Sequence, residues 1–289
     1  MLTLNEYLRR KYGEKLYRIS LSSGCTCPNR DGTIGTNGCI FCLNGSGDFA
    51  ETGDIDTQIE NAKKRVAKKT KTNKFIAYFG SYTNTYTKDL PSLERLYTTT
   101  LLRDDIEILS IGTRPDCLCS DVLAMLERLN KIKPVWVELG LQTSNENTAE
   151  YIRRGYANEV YSTAVENLHK IGIEVITHII IGLPGENISD MENTVKFAVE
   201  NKTDGIKLQL LHVLENTDLA KDYKSGKFSV LSMEEYCDIL CDLLKIIPEN
   251  VVIHRFTGDG NKKYLIAPLW SGDKKKVINY ITERIRYEV

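Results

Sequence analysis

Apolar positions along this chain alternate between two rhythms. Short, nearly unbroken apolar runs stand at 16–21 (LYRISL), 75–80 (FIAYFG), 106–112 (IEILSIG), 135–141 (VWVELGL), 173–182 (IEVITHIIIG), 205–214 (GIKLQLLHVL) and 251–256 (VVIHRF). Between them apolar residues recur at helical spacing, at 55–70, 120–132, 158–172 and 189–201. In the last of these, Met191, Val195, Ala198 and Val199 share one face. Continuous apolar strands separated by amphipathic helices predict a parallel sheet covered by helices. Six or seven such units, crossing over right-handedly, curve into a full or partial barrel. An open doubly wound sheet is the alternative, although no GxGxxG turn follows the first strand. The expected fold class is α/β, a partial (β/α)6-type TIM barrel over 1–215. A small C-terminal α/β extension, 216–289, would pack on it, with a helix at 232–246, one strand and a helix at 274–287.

A barrel carries its active site on the loops at the carboxyl ends of its strands. The loops expected there are 24–45, GSYTNTYT (80–87), GTRPD (112–116), QTSNEN (142–147) and GLPGE (182–186). All are polar or glycine-rich, which favours one site over scattered surface loops.

Composition adds little until the cysteines are counted. The 289 residues are 42% hydrophobic and 27% charged, with a formal net charge of −1, so any basic surface must be local. The first residues, MLTLNEYLRRKYGEK, lack the apolar core of a secretory signal, and no run approaches the roughly 18 apolar residues of a membrane span. A cytoplasmic chain is the expectation, and eight cysteines there point to metal binding or catalysis rather than disulfides.

Four of the eight fall in GCTCPNRDGTIGTNGCIFC (24–42). Cys27, Cys39 and Cys42 form C-x11-C-x2-C, with Cys25 making a C-x-C in front. Four thiolates could close a structural zinc site. Three could instead hold three irons of a [4Fe–4S] cluster and leave the fourth iron open. C-x-C is a poor zinc knuckle, so the spacing favours iron–sulfur. Cys237 and Cys241, at i and i+4, read as core. Cys117 and Cys119 lack the spacing of a second cluster.

CPNRDGTIGTNGCIFC resembles the cluster loop of the radical S-adenosylmethionine (SAM) enzymes, most closely the YhcC/YtqA-type family and next the radical SAM half of the Elongator catalytic subunit. TRPD (113–116), VELGLQT (137–143), RRGY (153–156), HIIIGLPGE (178–186), KLQLLHVL (207–214) and HRFTGDG–APLW (254–270) resemble further blocks of that family, in order. The resemblance implies a [4Fe–4S] cluster on Cys27, Cys39 and Cys42, with Phe41 beside it and Cys25 a bystander. It also implies S-adenosyl-L-methionine as cofactor, a 5′-deoxyadenosyl radical, and a reductant such as flavodoxin or ferredoxin.

Gly80 and Ser81 stand where the family has a Gly-Gly-Glu turn that binds the methionine amine; the acid is missing here. Glu138 and Gln142, at i and i+4 on one strand, face the same side, and the resemblance gives Gln142 a contact to SAM. It gives Arg154 the methionine carboxylate, a role Arg153 could share, and sets Leu183 near the adenine. Thr113, Arg114 and Asp116 follow the third strand, but Gly112 replaces the acid expected to take the ribose; Arg114 and Asp116 could equally form a structural ion pair. His178 matches a histidine of the Elongator-like pattern and is a candidate for cofactor or substrate, against the plainer reading of a core histidine. His254, Arg255 and Asp259, with Gly258 and Gly260, form a candidate substrate turn or a structural one. The basic runs 63–74, seven cations in twelve residues, and 274–276 could track RNA phosphates or be solvated surface. The Elongator-like resemblance suggests modification of a tRNA wobble uridine. A radical SAM enzyme acting on a small metabolite, and a zinc-stabilised RNA-binding protein without catalysis, are the other readings.

Overall fold

The computed structural model describes residues 1–43, 53–258 and 260–289. In chain order its elements are β1 (Leu2–Thr3), α1 (Leu4–Tyr12), β2 (Tyr17–Leu21), α2 (Ile55–Val66), β3 (Phe75–Phe79), α3 (Leu90–Leu101), β4 (Ile106–Thr113), α4 (Ser120–Asn130), β5 (Val135–Gln142), α5 (Glu146–Tyr151), α6 (Asn158–Lys170), β6 (Glu174–Ile181), α7 (Ile188–Glu200) and β7 (Gly205–Leu210). Then come β8 (Val213–Leu214), α8 (Asp218–Lys224), α9 (Met233–Lys245), β9 (Val252–Arg255), β10 (Leu265–Ala267) and α10 (Lys274–Glu288). Eight strands form one parallel sheet in the order β1-β9-β7-β6-β5-β4-β3-β2, curled into a partial barrel. Two strands expected to be one, at 205–214, separate at residues 211–212: β7 stays in the sheet and β8 pairs antiparallel with β10. The sheet also runs past residue 215, because β9 pairs with β7 and β1 with β9.

Alternation along the strands sorts the side chains. One set, including Ala77, Phe79, Leu109, Ile111, Val137, Leu139, Ile179 and Leu208, faces the helices and forms the main core. The other set faces the barrel interior in layers. At its amino end Ile76, Ile108, Trp136 and Ile176 pack with Leu8 of α1 and with Leu16, so that α1 plugs the barrel there. A capping box between Thr3 and Glu6 starts this helix, and Gly13, at φ 75°, ends it.

One inward step further come Tyr78, Ser110, Glu138, His178 and Lys207; beyond them Gly80, Gly112 and Gly140 carry no side chain, and the interior opens into a cavity.

Candidate active site

The cavity has a volume of about 410 Å³ and lies at the carboxyl ends of the strands, where the barrel rule expects it. Its mouth is built by the loop after β2. The backbone N–H groups of Arg30 and Asp31 both donate to the Cys27 carbonyl, at 2.9 and 3.2 Å, and that of Cys42 to Cys39 at 3.0 Å. Asn29 Nδ2 donates to the Arg153 carbonyl at 2.6 Å and sits 3.6 Å from Cys39 Sγ. The Arg30 guanidinium ties down the carbonyls of Cys42 and Leu43. Cys27, Cys39, Phe41 and Cys42 all line the cavity, whereas Cys25 packs against the main core. Burial, and then the neighbouring Cys42, push the Cys39 thiol up to about 11. A cationic metal group beside Cys39 would relieve that opposition to its ionisation.

The cavity floor is charged. Glu138, 1% exposed, accepts from Ser110 Oγ at 2.6 Å and from His178 Nε2 at 2.7 Å, is bonded by Lys207, and lies 3.2 Å from Arg18 Nη2. Burial alone would raise its pKa, but Lys207 and Arg18, with the His178 bond, hold it well below the usual carboxylate range. Burial and then Lys207 push His178 down to about 4, so its ring is neutral at pH 7. Burial and then Arg18 pull the Lys207 ammonium well below the usual lysine range. Both groups lie against the Tyr78 ring, Arg18 Cζ 4.5 Å and Lys207 Nζ 4.6 Å from its centroid.

Nearer the mouth, Gln142 ends β5 beyond an irregularity in its pairing, at φ 66°. That left-handed conformation costs a non-glycine residue about 1–3 kcal/mol and is concentrated at functional sites. Gln142 Oε1 and Ser81 Oγ are both buried with no hydrogen-bond partner among the described residues, and both residues line the cavity. Gly80 adjoins them; a side chain there would meet the Tyr78 ring at 2.2 Å.

Arg154 lines the cavity with 1% exposure. All five of its N–H donors are already taken: Nε by the Tyr156 carbonyl, Nη1 by the carbonyls of Leu141 and Thr143, Nη2 by Glu146 and Asn158. A ligand carboxylate would have to displace one of these. Arg114 is paired in bidentate fashion with Asp116, at 2.9 and 2.7 Å, and donates to the Arg154 carbonyl. Thr113 also lines the cavity, its hydroxyl 2.6 Å from that of Thr85.

Two expected site residues do not line the cavity. Leu183, 2% exposed, belongs to an apolar cluster with Ile40, Ile152, Ile180 and Leu211. His254 packs edge-on against Trp136, centroids 5.2 Å apart, in the amino-end layer below the charged floor. Asp259 lies outside the described residues. Conversely, Arg18, Tyr78, Tyr156, Lys207, Gln209 and His212 line the cavity without having been singled out. Arg18, Tyr78, Lys207 and Gln209 share the inward parity of their strands, the one signal that marks them in the sequence.

Comparison with known proteins decides what this site belongs to. Residues 29–198 match the Radical SAM superfamily, and residues 203–287 match the Radical_SAM C-terminal domain. The chain belongs to the radical SAM superfamily. It is 43% identical to the uncharacterized protein YtqA of Bacillus subtilis, over 98% of this chain and 88% of that protein. It is 31% identical to a tRNA uridine(34) acetyltransferase of Methanocaldococcus jannaschii over 155 residues, which are 52% of this chain but 28% of that protein. The structure of archaeal Methanocaldococcus infernus Elp3 shares its fold at a TM-score of 0.68 and 19% identity, over 93% of this chain and 63% of that one.

Membership makes this chain a radical SAM enzyme and implies a [4Fe–4S] cluster and SAM as its cofactors. The residues present fit them. Three thiols line a cavity whose wall carries the orphaned buried Ser81 Oγ and Gln142 Oε1, and Cys25 is not placed to complete a four-sulfur zinc site. Among the described residues no three Cys, His, Asp or Glu side chains are drawn together closely enough to hold a metal ion as they stand. No helix among them is long and apolar enough to cross a membrane.

Proposed function

We propose that Cys27, Cys39 and Cys42 hold a [4Fe–4S] cluster and that the chain uses it to cleave SAM and oxidise a substrate held in the barrel. The observation that carries this reading is the convergence of the three thiols, Ser81 Oγ and Gln142 Oε1 on one cavity. Once reduced by one electron, from a donor such as flavodoxin or ferredoxin, the cluster supplies cleavage of the SAM sulfonium and a 5′-deoxyadenosyl radical able to take hydrogen from an unactivated C–H bond.

The protein's part is binding, orientation and exclusion of water. Ser81, Gly80 and Gln142 offer the methionine end unfilled hydrogen-bonding capacity beside the thiols. Arg154 and Arg114 fix the wall between β4 and α6 and keep positive charge beside the thiolates and the methionine carboxylate. Phe41 covers the cluster side. His178, neutral and bonded to Glu138, faces the same space as a polar contact for substrate.

The likeness to a tRNA uridine(34) acetyltransferase supports a uridine in tRNA as substrate. The basic runs do not add to that support. Residues 63–74 end α2 and lead into the amino end of β3, on the opposite side of the barrel from the cavity. There Lys63 pairs with Asp105 at 2.7 Å and Lys74 with Glu107 at 3.0 Å. Residues 274–276 open α10, which packs against α9.

The test is anaerobic purification with iron, sulfide and zinc assayed. About four irons and four sulfides per chain are expected in wild type and in Cys25→Ala, with loss of both in Cys39→Ala, and 5′-deoxyadenosine should form from SAM on reduction. One tightly held zinc that disappears with Cys25→Ala would overturn the reading.

A further inference from the structure

The floor of the cavity holds more hydrogen-bond donors than the protein around it uses. Arg18 and Lys207 both lean on one carboxylate, Glu138. Arg18 Nη2 comes within 3.2 Å of Glu138 Oε1 but does not reach hydrogen-bond geometry, and Nε and Nη2 are both buried with no hydrogen-bond acceptor among the described residues. A half-buried guanidinium with two idle, buried donors is expensive, because a lost charged hydrogen bond costs more than a neutral one. The fork is nonetheless held in position, its plane against the Tyr78 ring at 4.5 Å, with Lys207 on the same ring at 4.6 Å. Arg255 lines the same end of the cavity. Such an arrangement is stable as a waiting receptor and poor as a structural ion pair.

We propose that this deep end of the cavity binds the anionic group of the substrate, a carboxylate or a phosphate, with the Arg18 fork and the Lys207 amine as donors. The assignment rests on the barrel being the reaction chamber proposed above and names the class of molecule admitted to it. A planar fork matches two oxygens of either anion, and a lysine adds a point charge. A neutral carbonyl offers one oxygen to a fork with two idle donors, where either anion offers two.

The methionine carboxylate of SAM is not the anion in question. Glu138, which marks the floor, precedes Gln142 by four positions on β5, and the Gln142 amide folds back only as far as Gly140, one inward position above Glu138. The thiols and the orphaned Ser81 and Gln142 atoms lie at the mouth, so the two anions have separate places. A substrate gripped by its charged end at the floor would hold its remaining carbons toward the mouth, where hydrogen is to be removed.

The experiment is calorimetric titration of the full chain, without cluster, with inorganic phosphate and with acetate at constant ionic strength. At least one should bind saturably, and Arg18→Gln should weaken it tenfold or more. Arg18→Lys, which keeps the charge and loses the fork, should fall between, and serves if Arg18→Gln does not fold. Phosphate alone binding would indicate a phosphorylated substrate, and acetate alone a carboxylate. In the reconstituted chain loaded with that anion first, SAM should still bind to saturation without displacing it. No saturable binding of either anion, unchanged affinity in both variants, or full competition between the anion and SAM would overturn the proposal. The titration does not depend on the cluster. A chain that bound the anion but assembled no cluster would therefore refute the radical chemistry and leave the anion site standing.

Discussion

Glu138 shows how much a single side chain can organise. One carboxylate takes bonds from Ser110, His178 and Lys207 and lies 3.2 Å from Arg18 Nη2. Removing it strands buried Lys207 and half-buried Arg18. Glu138→Ala should cost about 3–5 kcal/mol in urea unfolding, more than Glu138→Gln, whose one amide oxygen can still accept from Ser110 or from His178. The acid limb gives a second reading. The folded pKa lies below the ordinary 4.5, so the stabilisation from Glu138 is complete above about pH 4.5 and is lost as pH falls through the folded value. Glu138→Gln should flatten that limb. Strand alternation made Glu138 and Gln142 legible as an inward pair. The same alternation marks Lys207 in GIKLQL and Arg18 in LYRISL, but nothing local says that two cations on distant strands would meet one carboxylate. That contact is set by curvature and register. Nor does an arginine in RRGY announce that five neighbours will use up its donors, as they do for Arg154.

Among the elements, α1 is the instructive case. Its signals were present: Thr3 and Glu6 spaced as a capping box, Leu4, Tyr7 and Leu8 at helical spacing, and Gly13 as the stop. Its role was not legible, because a helix preceding the first long strand gives no hint that it will seal a barrel. Leu8 packs with Ile76, Ile108, Trp136 and Ile176, all from different strands. Leu8→Ala should cost about 2–5 kcal/mol, read as a lower urea midpoint. Loss of cavity ligands should follow only where the floor shifts with it. The splitting of 205–214 into β7 and β8 has a similar origin. The apolar run is continuous, but after Leu210 the chain leaves the parallel ladder and pairs with β10 instead. Partner choice of that kind depends on residues more than fifty positions away.

For the molecule as a whole, the strand–helix rhythm was enough to predict a parallel, curved sheet with its site at the carboxyl ends. It could not predict that the sheet would recruit β9 and β1 beyond β7, since a two-residue strand has no pattern to read. It also gave no basis for siting the basic run 63–74, which the connection from α2 to β3 carries to the end of the barrel away from the cavity.

That end is the one α1 stops up, and a vessel stoppered at its base is filled and emptied through its neck. Whatever rests on the floor must arrive before SAM settles above it and depart after SAM's fragments have gone. Steady-state kinetics should therefore be ordered, with substrate leading and SAM following. Product-inhibition patterns are the check: the modified substrate should compete with substrate and not with SAM. Random addition would mean that a ligand reaches the floor by another path.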